Sequence, residues 1–438
     1  MTTRCVNPLN SPPCYPTISA ALLVSTDGDI IKVAAGIYNE TLTISVSVTL
    51  LGAQSGVDAR QRPFPPSSTG PGAESIIQFV APNNAIININ TPNVVLDGFV
   101  LRNNVSTPPG SGTSKAVKTS NLYSGYQFLN TIFYNNDVGL DLNSTLINAD
   151  ASIVSQNVFT ENGRDDIWTA SGFQLSNAII DDNNFINSSN DPTFGEAAIN
   201  LENTVNLQIT NNLFSNSNSV ALTANYSAGS LSNTLIQNNC FSQSNGSCIF
   251  FSGGTTDTRI LNNSFINSKS NAISINVFDF AAVGANTDIV VNRNNFVNSA
   301  HAALRVDVNS YAPNTLKSLD ATDNWWNSAM GPILQGTATP IGPNSNGQER
   351  IIDLNLPING FSVVNYQPFL TVPVPSSSLI SSDSPCFFPL PPSPTPPSPM
   401  PGMLKLDVIS LSSLLTDADG QHKCVKKDEK RRRRKYAI

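Results

Sequence analysis

The feature that most constrains this chain is a short phrase, asparagine followed within three residues by an aromatic, which recurs eight times. The aromatics of successive copies stand 24 to 31 residues apart. A period of that size is typical of a solenoid, in which each repeat forms one coil and packs on its neighbours. The copies are Asn130–Phe133, Asn157–Phe159, Asn183–Phe185, Asn211–Phe214, Asn238–Phe241, Asn262–Phe265, Asn294–Phe296 and Asn324–Trp325.

Each period also carries two apolar runs of three to five residues. Leu207–Ile209 is a run that precedes the asparagine, and Ile249–Phe251 is one that follows the aromatic. Their length and partial alternation predict short, half-buried strands. Asparagine suits the corner between strands because it tolerates left-handed backbone, and stacked amides can bond to one another in a ladder. The sequence therefore predicts an all-β, right-handed parallel β-helix of about eight coils, with the aromatics stacked inside.

Three segments resemble a known family. The coils are similar to the right-handed parallel β-helix repeats of the pectin-lyase-like superfamily, especially its Asn-rich carbohydrate-binding and sugar-hydrolase type. Residues 324–332 resemble the terminal-coil phrase of such proteins. Residues 15–22 and 28–38 resemble the capping helix and first strand. The resemblance implies a fold for about residues 14–370 and is specific for fold rather than for function.

Composition divides the chain into four predicted parts. Residues 1–13 are an N-terminal extension and 14–370 the β-helix, in which 53–75 form a long loop. Residues 371–403 are a Pro/Ser-rich linker of extended backbone. Residues 404–438 hold a short apolar segment and a basic tail, which is expected to be disordered.

Charge is distributed unevenly. From Lys423 onward there are nine Lys or Arg and two acidic residues, a net +7, whereas positions 1–422 hold 15 basic and 29 acidic residues, a net −14. An acidic body argues against nucleic-acid binding at the β-helix. No apolar run is long enough for a membrane span or a secretory signal. We expect an extracellular or cell- or spore-surface protein.

Six cysteines bear on that compartment. Cys5 with Cys14, and Cys240 with Cys248, are close enough in sequence for short-loop disulfides. The alternative is isolated thiols, with Cys240 buried. No paired CxxC spacing is present and the chain has only two histidines, so neither a metal site nor a cofactor is predicted.

Catalytic sets known from this fold were sought among the acidic and basic residues. Asp165-Asp166, Asp181-Asp182 and Asn286-Thr287-Asp288 resemble hydrolase fragments in the reverse order. Asp182 and Asp288 would lie roughly four coils apart, and at about 4.8 Å per coil that is too far for a catalytic pair. Arg60 and Arg62 resemble the arginine context of a lyase but have no aspartate ladder behind them. No catalytic residue is predicted. If the protein is an enzyme, we expect a polysaccharide lyase or glycoside hydrolase.

An exposed stripe is the predicted ligand-binding feature. Taking the eighth residue after each aromatic as inward, the next residue faces solvent. The resulting glycan stripe, with neighbouring polar positions, comprises Trp168, Glu202, Asn225, Phe250, Asn276, Arg305 and Asp307.

Three functions follow from these patterns. The first is a non-catalytic structural or surface protein of the cell envelope or spore surface. The second is a glycan-binding module, and the third is a polysaccharide lyase or hydrolase with an unrecognised active site. The expected partners are a polysaccharide or envelope polymer and a second copy of the chain.

Overall fold

The chain winds into a parallel β-helix of about ten coils. The computed structural model describes residues 1–9, 12–78, 84–105, 112, 114–145, 149–170, 172–191, 193, 195–224, 230–277, 285–312, 318–339, 341–375 and 386. The paired strands run parallel and form three sheets, so the predicted fold class is confirmed. The parallel β-helix that the resemblance implies is likewise what the structure has.

Each sheet follows the solenoid axis. Sheet A contains Thr3–Val6, Ile30–Val33, Thr49–Leu51, Val95–Asp97, Gln127–Leu129, Ser152–Ser155, Leu175–Asp181, Thr204–Thr210, Leu231–Gln237, Thr255–Leu261, Ile289–Asn292, Leu319–Asp320 and Val364–Asn365. Sheet B contains Gly36–Tyr38, Ser75–Gln78, Phe99–Arg102, Ile132–Tyr134, Val158–Thr160, Asn184–Ile186, Leu213–Ser215, Cys240–Ser242, Ser264–Ile266 and Asn295–Val297. Sheet C contains Leu42–Ile44, Ala85–Ile89, Lys115–Thr119, Val138–Asp141, Asp165–Trp168, Ala197–Leu201, Val220–Ala224, Ile249–Phe251, Ile273–Ile275, Leu304–Val306, Arg350–Asp353 and Ile333–Gln335.

Helices are short and stand near the ends of the solenoid. The first, Ile18–Leu23, begins after Thr17, whose hydroxyl accepts a hydrogen bond from the Ala20 N–H at 3.1 Å. Ile18 and Ala21 are buried in the same apolar core as the first coils, so the predicted capping helix is confirmed. The second is Leu356–Asn359. A 3-10 turn, Ala59–Gln61, lies in the early loop.

A column of stacked rings fills the interior beside sheet B. Neighbouring centroids are 4.5 to 5.1 Å apart and the ring planes are nearly parallel. The final ring is Trp326, which stacks on Phe296 at 4.7 Å. The prediction that Trp325 ends the column is wrong because Trp325 bridges to Asn295, one position earlier in the register. The column comprises Phe133, Phe159, Phe185, Phe214, Phe241, Phe265, Phe296 and Trp326.

A ladder of buried amides runs two residues before these rings, as predicted. In a typical step, Asn183 Oδ1 accepts hydrogen bonds from the backbone N–H of Asn157 at 3.0 Å and from its Nδ2 at 2.9 Å. Each amide thus satisfies two donors of the preceding coil in a wall that excludes water. The ladder comprises Asn157, Asn183, Asn212, Asn239, Asn263, Asn294 and Asn324.

The expected number of coils was too low for a physical reason. In the first coils, Ile77 and Leu101 occupy the register position that Phe133 holds later. Aliphatic residues fill the same space without producing the aromatic signal. Each coil also has a third strand, centred on the aromatic, which is three residues long and resembles a turn in the sequence.

Two segments cover the outer face of sheet B. In the loop of residues 53–75, Ala59 packs with Ile76 and Val100, and Arg60 forms ion pairs with Asp58 and Asp182. Residues 371–375 and Cys386 cover the other end of the sheet.

That second segment is attached by backbone and side-chain contacts. Val374 exchanges two hydrogen bonds with the Asn295 side chain, at 2.7 and 2.8 Å. Cys386 packs with Cys240 and Ile266. We call residues 371–375 together with Cys386 the C-terminal strap.

The disulfides match the sequence expectation in part. Cys5 is bonded to Cys14, and Cys240 to Cys386. The expected Cys240–Cys248 pair is wrong because the two residues face opposite sides of the coil wall. Cys240 packs with the C-terminal strap outside sheet B, whereas Cys248 is a free thiol in the apolar core.

The chain divides into two compact units, Met1–Leu390 and Pro391–Ile438. The second unit, which holds the predicted basic tail and the end of the predicted linker, lies outside the described residues. In the first unit, Thr3–Val6 of the predicted extension pairs with Ile30–Val33 as a strand of sheet A. None of the described helices has the length and apolar character needed to cross a membrane.

Candidate functional site

The outer face of sheet C carries a column of side chains in register. Trp168 and Phe250 lie in this column, three strands apart, or about 14 Å along the axis at 4.8 Å per strand. Arg305 follows two strands further on. In order, the column is Asp141, Trp168, Asn200, Thr223, Phe250, Ser274 and Arg305.

The remaining residues of the glycan stripe differ in how far they are exposed to solvent. Glu202 is buried, 6% exposed, just after Ala197–Leu201. Asn276 is half-buried, and its side chain accepts a hydrogen bond from the Val277 N–H. Asp307 is half-buried and accepts a hydrogen bond from Arg305 Nε at 2.7 Å. Asn225 lies outside the described residues. The binding role of the stripe stays a prediction.

A groove of about 260 Å³ opens in this column across three successive coils. Phe250 supplies an aromatic wall, Glu196 supplies a carboxylate, and Asn200 and Thr223 supply polar groups at its base. An aromatic surface beside a few convergent polar groups is the usual composition of a small-ligand site. The lining comprises Gly195, Glu196, Asn200, Ser219, Val220, Thr223 and Phe250.

Arg164 organises one side of the groove. Its Nη2 lies 2.7 Å from Glu196 Oε1, and its Nε lies 3.4 Å from Asp165 Oδ2. Glu196 Oε2 accepts a second hydrogen bond from Asn200 Nδ2 at 2.6 Å. The carboxylate at the groove is therefore held by a guanidinium and an amide, which fixes its orientation.

Trp168 is covered by cations. The Arg164 guanidinium carbon lies 4.9 Å from the ring centroid and Lys115 Nζ lies 5.1 Å from it, both within cation–π range. Lys115 Nζ also donates to the Gly112 carbonyl at 2.9 Å and lies 4.0 Å from Asp141 Oδ2. Trp168 was predicted as part of a sugar-stacking stripe, and the structure uses its ring in this charged network.

Two adjacent carboxyls lie beneath the network. Asp165 is completely buried, and burial raises its pKa well above the usual range, with the nearby Glu196 adding to the rise. Burial also raises the pKa of Asp166 to about 7, against hydrogen bonds from Ser188 and Asn162. Both carboxyls are shielded from solvent, so neither reaches a ligand in the groove.

Sequence reasoning missed Arg164, Glu196 and Asn200. The count of eight residues from ring to inward strand position holds from Phe159 to Ile167 and from Phe214 to Leu222. It fails after Phe185, because a longer turn delays the strand until Ala197–Leu201. Arg164 and Glu196 each stand one residue before a strand, where strand alternation assigns no face.

The hydrolase-like and lyase-like fragments are used elsewhere. Arg62 forms a buried ion pair with Glu74 at 3.0 Å, and Arg60 pairs with Asp182. Along sheet A, the register runs from Asp181 through three intervening strands to Asn292, which confirms the separation expected for the Asp182 and Asp288 fragments. In the described part of the chain, no group of three or more His, Cys, Asp or Glu is placed to hold a metal ion.

A second cavity, of about 520 Å³, lies on the outer side of sheet A. Asp257, Arg259, Asp288 and Asp320 line it. Its aromatic residue, Tyr311, is only 1% exposed and offers no open ring face. The groove on sheet C therefore has the more complete set of groups for holding a ligand.

Comparison with known proteins gives similarities among solved structures. No family model matches the sequence, and no curated protein matches it. Among solved structures, the Dettilon tailspike protein shares 12% identity, with a TM-score of 0.48, over 80% of this chain and 68% of that one. An α-1,3-glucanase from Streptomyces thermodiastaticus shares 14% identity, with a TM-score of 0.44, over 81% and 65%. Pectin methylesterase PemA from Erwinia chrysanthemi shares 12% identity, with a TM-score of 0.39, over 66% and 92%.

Proposed function

We propose that this protein is a glycan-binding β-helix protein and that its binding surface is the groove on sheet C. The observation that carries the proposal is the pairing of Phe250 with Glu196 across the groove. An aromatic ring can pack on the apolar face of a sugar, and the fixed carboxylate accepts hydrogen bonds from hydroxyl groups. Phe250 lies on a paired strand of sheet C, and Glu196 is held by Arg164 and Asn200, so the site is preorganised.

The charge arrangement supports binding rather than cleavage. Glycoside hydrolysis ordinarily uses two carboxyl groups that flank the scissile bond. Of the described residues that line the groove, Glu196 is the one carboxylate, since Asp165 is completely buried. A single carboxylate already held by Arg164 and Asn200 orients a ligand.

Variants of the groove test this proposal. Replacing Phe250 with Ala should weaken binding to a glycan identified on an array by about tenfold, or roughly 1.4 kcal/mol, because the ring contact is lost. The matched control is Phe64→Ala, which removes an exposed ring from the loop over sheet B. Titration calorimetry gives the affinities, and chromatography of the mixture detects any cleaved product.

Absence of glycan binding by the intact protein would exclude the proposal, and release of shortened product would replace it with an enzymatic function. Equal losses in the two variants would show that the Phe250 ring has no specific role.

A structural role at a cell or spore surface is the second candidate. The uninterrupted amide ladder from Asn157 to Asn324 and the ring column beside it favour a rigid scaffold. Formation of fibres or a lattice by a protein without glycan affinity would favour this function over the first.

A further inference from the structure

Glu196 sets the charge that a ligand meets in the groove. Its side chain is 35% exposed, and each oxygen accepts one hydrogen bond within the protein, from Arg164 or from Asn200. A carboxylate oxygen can accept more than one hydrogen bond. Both oxygens therefore retain capacity for a donor on the ligand, and Glu196 is the one ionisable side chain among the described lining residues.

Two cations lie near Glu196, and both have partners within the protein. Arg164 is 19% exposed and is shared between Asp165, Glu196 and the Trp168 ring. Lys115 is 12% exposed, and its ammonium lies between the Trp168 ring and Asp141.

Two further cations lie on the column. Arg305 is two strands beyond Phe250, or about 10 Å along the axis at 4.8 Å per strand, and it pairs with Asp307. Lys118 is aligned with Asp141, three strands before Asn200, or about 14 Å away at 4.8 Å per strand. Charges at that distance are strongly screened at physiological ionic strength, where the Debye length is about 8 Å. Of the described residues that line the groove, Glu196 is therefore the charged group that a ligand meets directly.

We propose that the groove selects an amino-substituted glycan, with a protonated amine at Glu196 and the sugar ring against Phe250. This inference rests on the proposed glycan-binding function and names its ligand class. An ammonium group forms charge-assisted hydrogen bonds with the carboxylate and is attracted to the neighbouring ring face. An acidic sugar would meet Glu196 and the net charge of −14 carried by positions 1–422, and both oppose its approach.

Calorimetry with three linear oligosaccharides of equal length tests the selection. The full chain is titrated with oligomers of glucosamine, N-acetylglucosamine and galacturonic acid, at a pH where the glucosamine amine is protonated. We expect glucosamine to bind about tenfold more tightly than its N-acetylated counterpart, a difference of roughly 1.4 kcal/mol, and galacturonate to bind most weakly. Added salt should reduce the preference for glucosamine, because the contact is partly ionic.

Glu196→Gln tests whether Glu196 binds the amine. This variant should bring the ratio of the two affinities close to one. The matched control is Asp257→Asn, which removes an exposed charge at a corner adjoining sheet A and should leave the ratio unchanged.

The outcomes separate the two proposals. Equal or tighter binding of a neutral or acidic glycan overturns the amine selection and leaves glycan binding intact. Equal competition by a lysine oligomer also overturns the amine selection, because the groove would then recognise positive charge without requiring a sugar. If neither these oligosaccharides nor any glycan on an array binds, glycan binding itself fails.

Discussion

Adjacent asparagines have different roles in this chain because they face different sides of the coil wall. In the doublet Asn238-Asn239, the first residue has a left-handed backbone, with φ of 57°, and the second is buried in the ladder. Asn239 Oδ1 accepts from the N–H of Asn212, and its own Nδ2 donates to Asn263 Oδ1. The doublet signal in the sequence therefore combines a turn requirement with a buried hydrogen-bond requirement.

Replacing Asn239 with Ala should destabilise the protein by about 1–3 kcal/mol, because buried donors of the preceding coil lose their acceptor. The matched control is Asn238→Gly, which keeps the left-handed corner and leaves the ladder unchanged. Hydrogen exchange should increase first at the strands Leu213–Ser215 and Ser264–Ile266, which flank the altered coil. Equal effects of the two substitutions would contradict the assignment of Asn239 to the ladder that joins neighbouring coils.

Glu349 makes stability depend on pH. Burial raises its pKa to about 7, although the Ser299 N–H donates to Oε1 at 3.1 Å. Because the folded state keeps a proton that the unfolded chain releases near pH 4.5, stability from this group is lost as pH rises from about 4.5 through 7. The pKa difference corresponds to about 3 kcal/mol.

The difference in free energy of unfolding between Glu349→Gln and the parent protein should therefore shift by about 3 kcal/mol in favour of the variant between pH 4.5 and pH 8. Denaturant unfolding at several pH values measures the gain. Asp257→Asn, at an exposed corner, serves as the control and should show no comparable trend. A constant difference between Glu349→Gln and the parent across this range would show that Glu349 does not titrate with folding.

At the scale of elements, the two ends of sheet B depend on chain segments that return to cover them. The early loop covers Ile76 and Val100, and the C-terminal strap covers Cys240, Ile266 and Val297. On sheet C, Phe250 and Glu196 line a groove instead. We therefore assign the proposed binding surface to sheet C rather than to the covered ends of sheet B.

The sequence predicted the coils better than these coverings. Strand positions and the inward rings follow from local alternation and from a period set by stacking, both of which are visible in one chain. The capping helix was expected from the family resemblance. The Cys240–Cys386 bond joins residues 146 positions apart, and neither alternation nor spacing links them. The groove was found in part because Phe250 sits on a regular strand, whereas Glu196 precedes a strand whose start is shifted by a longer turn.

Removing the disulfide that attaches the C-terminal strap should lower the stability of one end of sheet B. Cys386→Ser removes a cross-link over 146 residues, with an expected cost of about 2–4 kcal/mol. Hydrogen exchange by mass spectrometry should then rise in Ser264–Ile266 and Asn295–Val297. Cys14→Ser is the matched control, since it removes a cross-link whose effect should remain near Thr3–Val6.

Cys248 provides a second check on this arrangement. Burial raises the pKa of its thiol to about 11, so it should resist alkylation in the native parent protein. Alkylation of Cys240 or Cys386 in the native, non-reduced protein would contradict the disulfide assignment.

At the scale of the whole molecule, the notable asymmetry is one of charge. Residues 1–422 carry a net −14 and residues 423–438 a net +7. Six consecutive cations, Lys430 to Lys435, repel one another at neutral pH, and pairing with an anionic surface relieves that repulsion. Such a surface is available on an envelope polymer or on the acidic β-helix of another copy.

We therefore predict that the full chain self-associates or attaches to an anionic polymer at low salt, and that a variant lacking residues 423–438 does not. Sedimentation velocity across a salt series measures association, and the effect should fade as the Debye length shrinks from about 30 Å at 0.01 M to about 8 Å at 0.15 M. Replacing Arg431, Arg432, Arg433 and Arg434 with Gln is the matched control for charge without a change of length, and should reproduce much of the loss. The thermal unfolding of the β-helix should be the same in all three proteins. If the shortened chain associates as strongly as the full chain at low salt, the basic tail is not the attachment element, and association must be sought on the β-helix itself.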